Sequence, residues 1–482
     1  YSQGKSRSLN FVYNSLHADT RPIIQFMSTF QCVFGSTGGG VQRLVAELSV
    51  EQNGTTSSLS SGFWSLPSCS AGISVELGGS LIADMSRFPS GQYQFHLKTG
   101  TLTGNSNAPI AGRLITSSPT VSIVNLASSS LGSGWAIMGV QEIVEHVDGS
   151  LLLIDGSSAT QRFGAPPAVG QPYVSPLGDF STMERLADGT FRRTLKDQAV
   201  FQFNADNKLA FERDRNGNTT QYRYTAGRLT DIIDPVQLTT HFEYTGGLLT
   251  SVTNPYGRVT RFEHDERGNL TRIIEPDGAA TSWEYDDRHH PISMTDANGN
   301  RGEDVFDELG RVIAVKFPDG SAASVSPVQS QSVAIEGRNT SWQTAATPIA
   351  DRVATYVDSK GNAIRATLDL LGQPTKIEDS LGSVSATTRN ALNLIVQRFD
   401  ARGNVTGYDY DDRGNVVRVT DVVSTVMSTP TSSWIGGGSG QWNDSANWSD
   451  GRVPGPEDDV LIEVPNVDAE ITISGQPVQV RG

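Results

Sequence analysis

A chain of 482 residues is long enough for about three domains, each with its own core, so its size calls for no disulfide or metal staple. A formal charge of -15 and a pI near 4.9 argue against a nucleic-acid partner, which needs clustered Lys and Arg, and suit a solvated acidic surface. No apolar run approaches the roughly 20 residues of a membrane helix, so no membrane contact is expected within this stretch. Its 49 Gly and 22 Pro, set between periodic apolar residues, read as turn-rich β structure rather than disorder. The start at Tyr1 and the end at Gly482, just after a strand-like run, read as an internal piece of a longer protein.

Residues 1–125 carry short alternating runs, among them Leu9-Asn10-Phe11-Val12-Tyr13, Val41 to Val50 and Gln92 to Leu97, separated by Gly, Ser and Pro turns. Such spacing predicts a β-sandwich. The only two cysteines, Cys32 and Cys69, fall here. Either a disulfide in an extracellular domain or two buried thiols would account for them. The Gly35 to Gly40 stretch has no helix after it and reads as a loop, not a phosphate cradle. A Ser-rich break at Ser128-Ser129-Ser130 precedes Leu131-Gly132-Ser133-Gly134-Trp135, and a boundary near 126 opens a β-rich lead-in over 126–210.

From 211 to 421 the chain repeats. Gly257, Gly278, Gly299 and Gly320 lie 21 residues apart, as do Gly361, Gly382 and Gly403, while Gln237 and Gly217 extend the series backwards at steps of 20. The gap of 41 from Gly320 to Gly361 reads as two units whose pattern has worn away around Trp342. A second turn follows each first one by 10 or 11 residues, at Gly227, Gly247, Gly268, Gly310, Gly372 and Gly414. Two turns per period leave two strands of about five residues, which makes the unit a β-hairpin with no room for a helix. The turn glycines are expected at positive φ, where Gly alone is unstrained. Six turns read Asp-x-x-Gly-Asn, as at Asp265 to Asn269 and Asp411 to Asn415.

One strand of the hairpin sets Thr, an aromatic residue and Tyr on one face at period two. Thr220-Tyr222-Tyr224, Thr240-Phe242-Tyr244, Thr281-Trp283-Tyr285 and Thr406-Tyr408-Tyr410 are the clearest, with Thr260-Phe262-His264 as a variant. Stacked hairpins would bring these rings together as a buried ladder.

Catalytic constellations are wanting: there is no Gly-x-Ser-x-Gly elbow, His-Glu-x-x-His pair or Gly-x-x-x-x-Gly-Lys loop, and the chain is read as no enzyme. His289 and His290, after Asp286 and Asp287, are the best metal-ligand candidates, yet adjacent turn residues diverge and the pair reads as a surface turn that has lost its Gly. Asp265, Asp296, Asp358, Asp400 and Asp411 recur once per unit and could hold calcium loosely, although turn bonding accounts for the same residues. No other cofactor is expected. Residues 430–482, with Trp434, Trp442, Asn447-Trp448 and Gly436-Gly437-Gly438, read as the opening of a Trp- and Gly-rich β-solenoid whose indoles pack inward rather than forming a glycan platform.

The Tyr-Asp and Gly-Asn pairs at this hairpin spacing resemble the YD repeats of bacterial Rhs proteins, of insecticidal toxin-complex cocoon subunits and of animal teneurins. The resemblance covers 211–421 strongly and 131–203 more weakly, while Phe11-Val12-Tyr13-Asn14-Ser15 is similar to the sandwich that plugs the shell in teneurin-like members. It implies an all-β hairpin spiral around a hollow that encloses a C-terminal segment of the same parent chain, in a protein secreted or held at the cell surface. The self-cleaving aspartyl site of full Rhs proteins does not map here, since Asp234-Pro235, Asn254-Pro255 and Glu275-Pro276 sit in ordinary repeat turns. The expected role is a shell or scaffold segment. The alternative is an adhesin that binds a cell-surface protein or glycan through exposed aromatic rings.

Overall fold

The computed structural model describes residues 9–31, 42–52, 54–65, 74–103, 115–157, 159–307, 309–328, 333–334, 347–348, 352–369, 372–422, 432–436, 439–455, 458, 460–462 and 470–472. Cys32, Cys69, the Gly35 to Gly40 stretch and Trp342 lie outside the described residues. Contacts divide the chain into two compact units, Tyr1–Val384 with Tyr410–Asn415, and Ser385–Asp409 with Val416–Gly482.

In the first unit the N-terminal strands build two sheets. Gln42–Gln52 lies between Thr55–Ser65 and Gly91–Thr103, and Ile23–Gln31 pairs with Ser74–Ile82. Alternation places Ala46, Leu48, Val50 and Phe95 of one sheet against Phe26 and Leu81 of the other, a sandwich core with Met85 and Ile123 at its margin. The domain is not confined to its own sequence, because Phe11–Tyr13 pairs with Trp135–Ile137, beyond the boundary expected near 126.

A three-stranded sheet of Glu142–Glu145, Leu151–Ile154 and Thr160–Phe163 follows. All four residues of its central strand are buried. Leu151 and Leu153 pack toward Met183, Phe191, Phe203 and Leu209, whereas Leu152 and Ile154 pack toward Val124. A strand covered on both faces cannot alternate, which is why it reads Leu-Leu-Leu-Ile.

Twenty-two strands, from Thr182–Arg185 to Val416–Val422, then pair antiparallel in the order in which they occur in the chain. Local hairpin closure sets this order, since each strand pairs only with the one before and the one after. The ladder starts at Thr182, inside the stretch assigned to the lead-in. The steps of 20 have a simple cause. Thr225 pairs with Arg228 and Thr245 with Leu248, leaving two-residue loops, Ala226-Gly227 and Gly246-Gly247, with both residues at positive φ. Such a loop is one residue shorter than the loops at Gly268 or Gly310, where Asp265 and Asp307 bond to the residue four positions on.

The reading of the 41-residue gap as two worn units is corrected by the pairing. Ala322–Ser326 pairs directly with Val353–Val357 through Ser324↔Val357 and Val325↔Tyr356. Between them the chain leaves the ladder, and Val333–Ala334 and Thr347–Pro348 pair with Ser74–Ile82 of the sandwich. The 26 residues between Ser326 and Val353 stand where the link between Phe306 and Val312 has 5, so the interval holds one hairpin with an insertion one period long, which preserves the spacing of the glycines.

In the second unit the hairpin pairing runs on as Ala386↔Phe399 and Gln397↔Gly407. Past it, Ser432–Ser433 pairs parallel with Val460–Leu461, and Ser439–Gln441 parallel with Glu470–Thr472. Parallel pairing of segments about 30 residues apart is what one coil of a solenoid makes with the next.

Candidate functional site

The feature that the repeats build is a continuous face. Residues directly opposite in an antiparallel ladder share a side, which links Tyr222 to Ile232 and Thr240, Phe242 to Val252 and Thr260, Phe262 to Ile273 and Thr281, and Trp283 to Met294. Phe242 and Phe262 are 1% and 4% exposed, and Tyr222, Tyr224, Tyr244, Trp283 and Tyr285 are half-buried. Tyr408 and Tyr410, farther along the repeats, are half-buried as well. Tyr224, Tyr244 and Tyr285 each follow a one-residue register shift, at Arg223/Tyr224, Glu243/Tyr244 and Glu284/Tyr285. The shift lets its phenol reach back. Tyr244 donates to the Leu229 carbonyl and Tyr285 to the Leu270 carbonyl, both at 2.8 Å and both across 15 residues of chain.

What covers this face comes from far upstream. Trp135, 6% exposed, packs edge-on against Trp283 at 5.2 Å and near Tyr13 at 5.6 Å, and its indole N–H donates to the Tyr285 hydroxyl at 3.1 Å. Phe11 packs on Phe262 at 5.1 Å. The loop before Trp135 is held by its backbone, with Ser133 N donating to the Gly268 carbonyl at 2.9 Å and Leu249 N to the Ser130 carbonyl at 2.8 Å. Burial pushes Tyr244 up to about 12, and Tyr222, Tyr224 and Tyr285 up in the same direction, so the phenols remain neutral.

The turns at the ends of the hairpins have one chemistry. In all six Asp-x-x-Gly-Asn turns, at Asp214, Asp265, Asp296, Asp358, Asp400 and Asp411, one carboxylate oxygen accepts the backbone N–H groups two and four residues on. The other oxygen accepts the side-chain amide of the final Asn, at 2.6 to 2.8 Å. The Asn side-chain bond, with the backbone bonds, holds Asp296, Asp358, Asp400 and Asp411 below the usual carboxylate range. For Asp265 burial opposes this and is outweighed by the same bonds. These oxygens serve their own loops. Among the described residues no three His, Cys, Asp or Glu side chains converge to hold a metal ion. The turn residues Gly217, Gly257, Gly268, Gly278, Gly299, Gly320, Gly361, Gly382, Gly403 and Gly414 have φ between +75° and +91°.

His289 keeps the turn in the absence of Gly, with φ +65°. The expectation of a surface turn fails at its neighbour, for His290 is 2% exposed. Its ring stacks on Phe306 at 4.6 Å and its Nδ1 lies 2.9 Å from Asp286 Oδ2. Its burial has a cause that no local pattern carries: the N-terminal segment sits on this turn. Arg288 Nε donates to Asp19 Oδ2 at 2.7 Å, Arg21 pairs with Asp19 at 3.0 Å, and the Tyr13 hydroxyl donates to the His289 carbonyl at 2.6 Å.

Residues 245–280, 264–301 and 389–426 match the RHS Repeat family. The chain carries RHS repeats. Comparison with curated proteins gives no match. Among solved structures, TcdB2-TccC3 is 12% identical with a TM-score of 0.33, over 79% of this chain and 23% of that one. A Tc holotoxin pore of Photorhabdus luminescens is 13% identical with a TM-score of 0.34, over 69% and 20%. A porin-like protein from Bacteroides uniformis is 11% identical with a TM-score of 0.16, over 51% and 95%. The chain thus spans about a fifth of the length of the toxin-complex chains it matches.

Within the second unit, Trp434, Trp442 and Trp448 are buried against one another, with ring centroids 5.2 and 4.6 Å from Trp448. The Trp448 indole N–H donates to the Trp442 carbonyl at 2.8 Å. Buried indoles offer no flat surface to a sugar. Sequence reasoning left Asp19 and Arg288 without a role, and read the Ser129 to Trp135 loop only as a break and the start of the lead-in. The one local signal was a run of small residues, Gly132-Ser133-Gly134, that brings backbone close to a neighbour: a Cβ on Gly132 would lie 2.8 Å from that of Leu270.

Proposed function

We propose that this chain is a non-catalytic wall segment of a larger secreted or cell-surface RHS-repeat protein, whose hairpin sheet turns its aromatic face toward a segment of the same parent chain, a cargo or toxin, that the wall encloses. The observation that carries this reading is the cover on that face: Trp135, Phe11 and Tyr13, rather than solvent, meet Trp283, Phe262 and Tyr285. Farther along the first unit, cross-strand partnership continues the same face through Met294, Gly302, Asp304, Val315, Val325, Tyr356, Ile364 and Ile377, with Asp304 its one charged member in that series. There it is open, with Met294 46% and Tyr356 42% exposed. An apolar face of this extent suits contact with protein better than with water. The opposite face carries ion pairs suited to solvent, such as Arg301 with Glu284 at 2.7 Å and Lys316 with Glu303 at 3.1 Å.

Protease digestion of the intact parent protein tests enclosure. The segment beyond the repeats is expected to survive as long as the hairpin sheet does and to be cut at once when the sheet is unfolded. Rapid cutting of that segment under native conditions would overturn the wall reading. Specific retention of the chain on a glycan array would put the adhesin in its place.

A further inference from the structure

Four of the seven histidines lie where the N-terminal segment and the Leu126 to Val140 loop meet the hairpin turns. The His17 carbonyl accepts Leu126 N at 2.9 Å, and His264 Nε2 lies 3.3 Å from the Leu131 carbonyl. His289 places Nδ1 2.7 Å from Asn269 Oδ1 while its carbonyl takes the Tyr13 hydroxyl. His290 stands between Asp286 and, at 3.7 Å, Asp19. The other three rings have no carboxylate within hydrogen-bond reach among their described contacts.

Acidic groups outnumber basic ones around the seam, with Glu266 beside Asp265 on its exposed edge. Asp19 and Arg21 come from the N-terminal segment, Asp265 and Arg267 from one hairpin turn, and Asp286, Asp287 and Arg288 from the next. Asp19 is engaged by Arg21 and Arg288, and Asp287 by Arg267 at 2.9 Å. Tyr13 and Tyr285 contribute neutral phenols. What disfavours a cation on the rings is first of all their burial.

We propose that this seam is an acid-responsive latch, which holds the N-terminal segment and the Leu126 to Val140 loop on the aromatic face while His17, His264 and His289 are neutral and loosens as they take up protons. Burial lowers His17 to about 4. It also lowers His264, against the Leu131 carbonyl and Asp265, and His289, where Arg267 adds to it against Asp265, Asp19 and Asp286. A ring depressed in this way binds its proton more readily when undocked. Docking is therefore complete above the free value of about 6.5 and weakens as pH falls from there toward the docked values. The latch concerns only how the chain docks on itself, so it stands or falls apart from the enclosure proposed above.

Hydrogen exchange of the whole 482-residue chain at pH 7.5, 6.5, 5.5 and 4.5, corrected for intrinsic rates, provides the test. Peptides over Phe11 to Ala18 and Ser129 to Ile137 should lose protection on acidification, by up to about tenfold per pH unit for each coupled ring. The ladder strands beneath, such as Thr239–Thr245, should keep theirs. A variant combining His17→Gln, His264→Gln and His289→Asn should hold its protection at pH 5. Should it fold poorly, His289→Asn alone serves, because Asn tolerates the left-handed φ of this position and can still bond Asn269. The latch is overturned if the wild-type peptides stay protected at pH 4.5, if the ladder loses protection in step with them, or if the non-titrating variants follow the wild-type curve.

Discussion

Gly268 and Gly299 occupy the same place in two hairpin turns, with φ of +82° each and open space where a Cβ would stand. Val at either position meets no atom, so the first cost is that of a β-branched residue in the left-handed region, about 1–2 kcal/mol. The two turns differ in what leans on them. The Gly268 carbonyl receives Ser133 N–H, and the adjacent Asn269 is fully buried and faces His289. A backbone that shifts to relieve φ would loosen both contacts, at a net cost of about 1 kcal/mol each. Gly268→Val should therefore destabilise by about 2–4 kcal/mol and Gly299→Val by about 1–2 kcal/mol, while Thr271→Val, a matched change on the neighbouring strand, stays within about 0.5 kcal/mol. Urea melts compared at a common slope read the midpoints. Limited proteolysis locates the damage, expected at the Ser129 to Trp135 loop and the adjoining hairpins for Gly268→Val alone. Equal shifts for the two glycines would refute the idea that this turn anchors the loop. A Gly268→Val midpoint equal to that of Thr271→Val would refute the strain argument itself.

Gln237 holds φ +67° at the position where the neighbouring units have glycine, so Gln237→Gly should raise stability by about 0.5–1 kcal/mol, the left-handed strain relieved less the extra chain entropy of Gly; a lower urea midpoint would contradict it. Asp148 is pulled down to about 2, since the Ser150 hydroxyl and N–H, together with His146, outweigh the opposing effect of burial. A depressed carboxyl contributes stability above its free value near 3.8 and loses it as pH falls through 2, so between pH 4 and 2 the wild type should lose stability more steeply than Asp148→Asn in parallel acid melts.

The hairpin repeat was legible because its cause is local. A turn of Asp-x-x-Gly-Asn consumes its own carboxylate, its own amide and one left-handed residue, and nothing outside five residues is required. The same locality explains why His289 and Asn393 preserve the turn without Gly, both at positive φ. The sandwich was legible for a similar reason, through alternation on strands that bury one face. What stayed hidden depends on contacts between distant stretches. Asp19 looks like any polar residue near a short helix, and only Arg288, 269 residues away, gives it a role. The burial of His290 follows from that same docking and leaves no mark in its own turn. The detour after Ser326 was hidden by arithmetic, because one hairpin with an insertion of one period spans the same 41 residues as two units of 20 and 21.

That detour also bears on how the array holds together. A ladder in which each strand contacts only its two neighbours has no long-range register to lose, so the chain can leave after Ser326 and resume at Val353 with Val325 opposite Tyr356 and the apolar face unbroken. The hairpins alone would accept many such insertions and would give an open sheet with one apolar side. The contacts that discriminate among these outcomes are the non-local ones: Trp135 on Trp283, Phe11 on Phe262, and Asp19 on Arg288. They tie specific hairpins to a specific upstream segment. Removal of any single repeat would preserve every local turn and shift all later hairpins relative to these anchors by one unit. In this chain the number of repeats between anchors is therefore set by docking, whereas the form of each repeat is set by its turns.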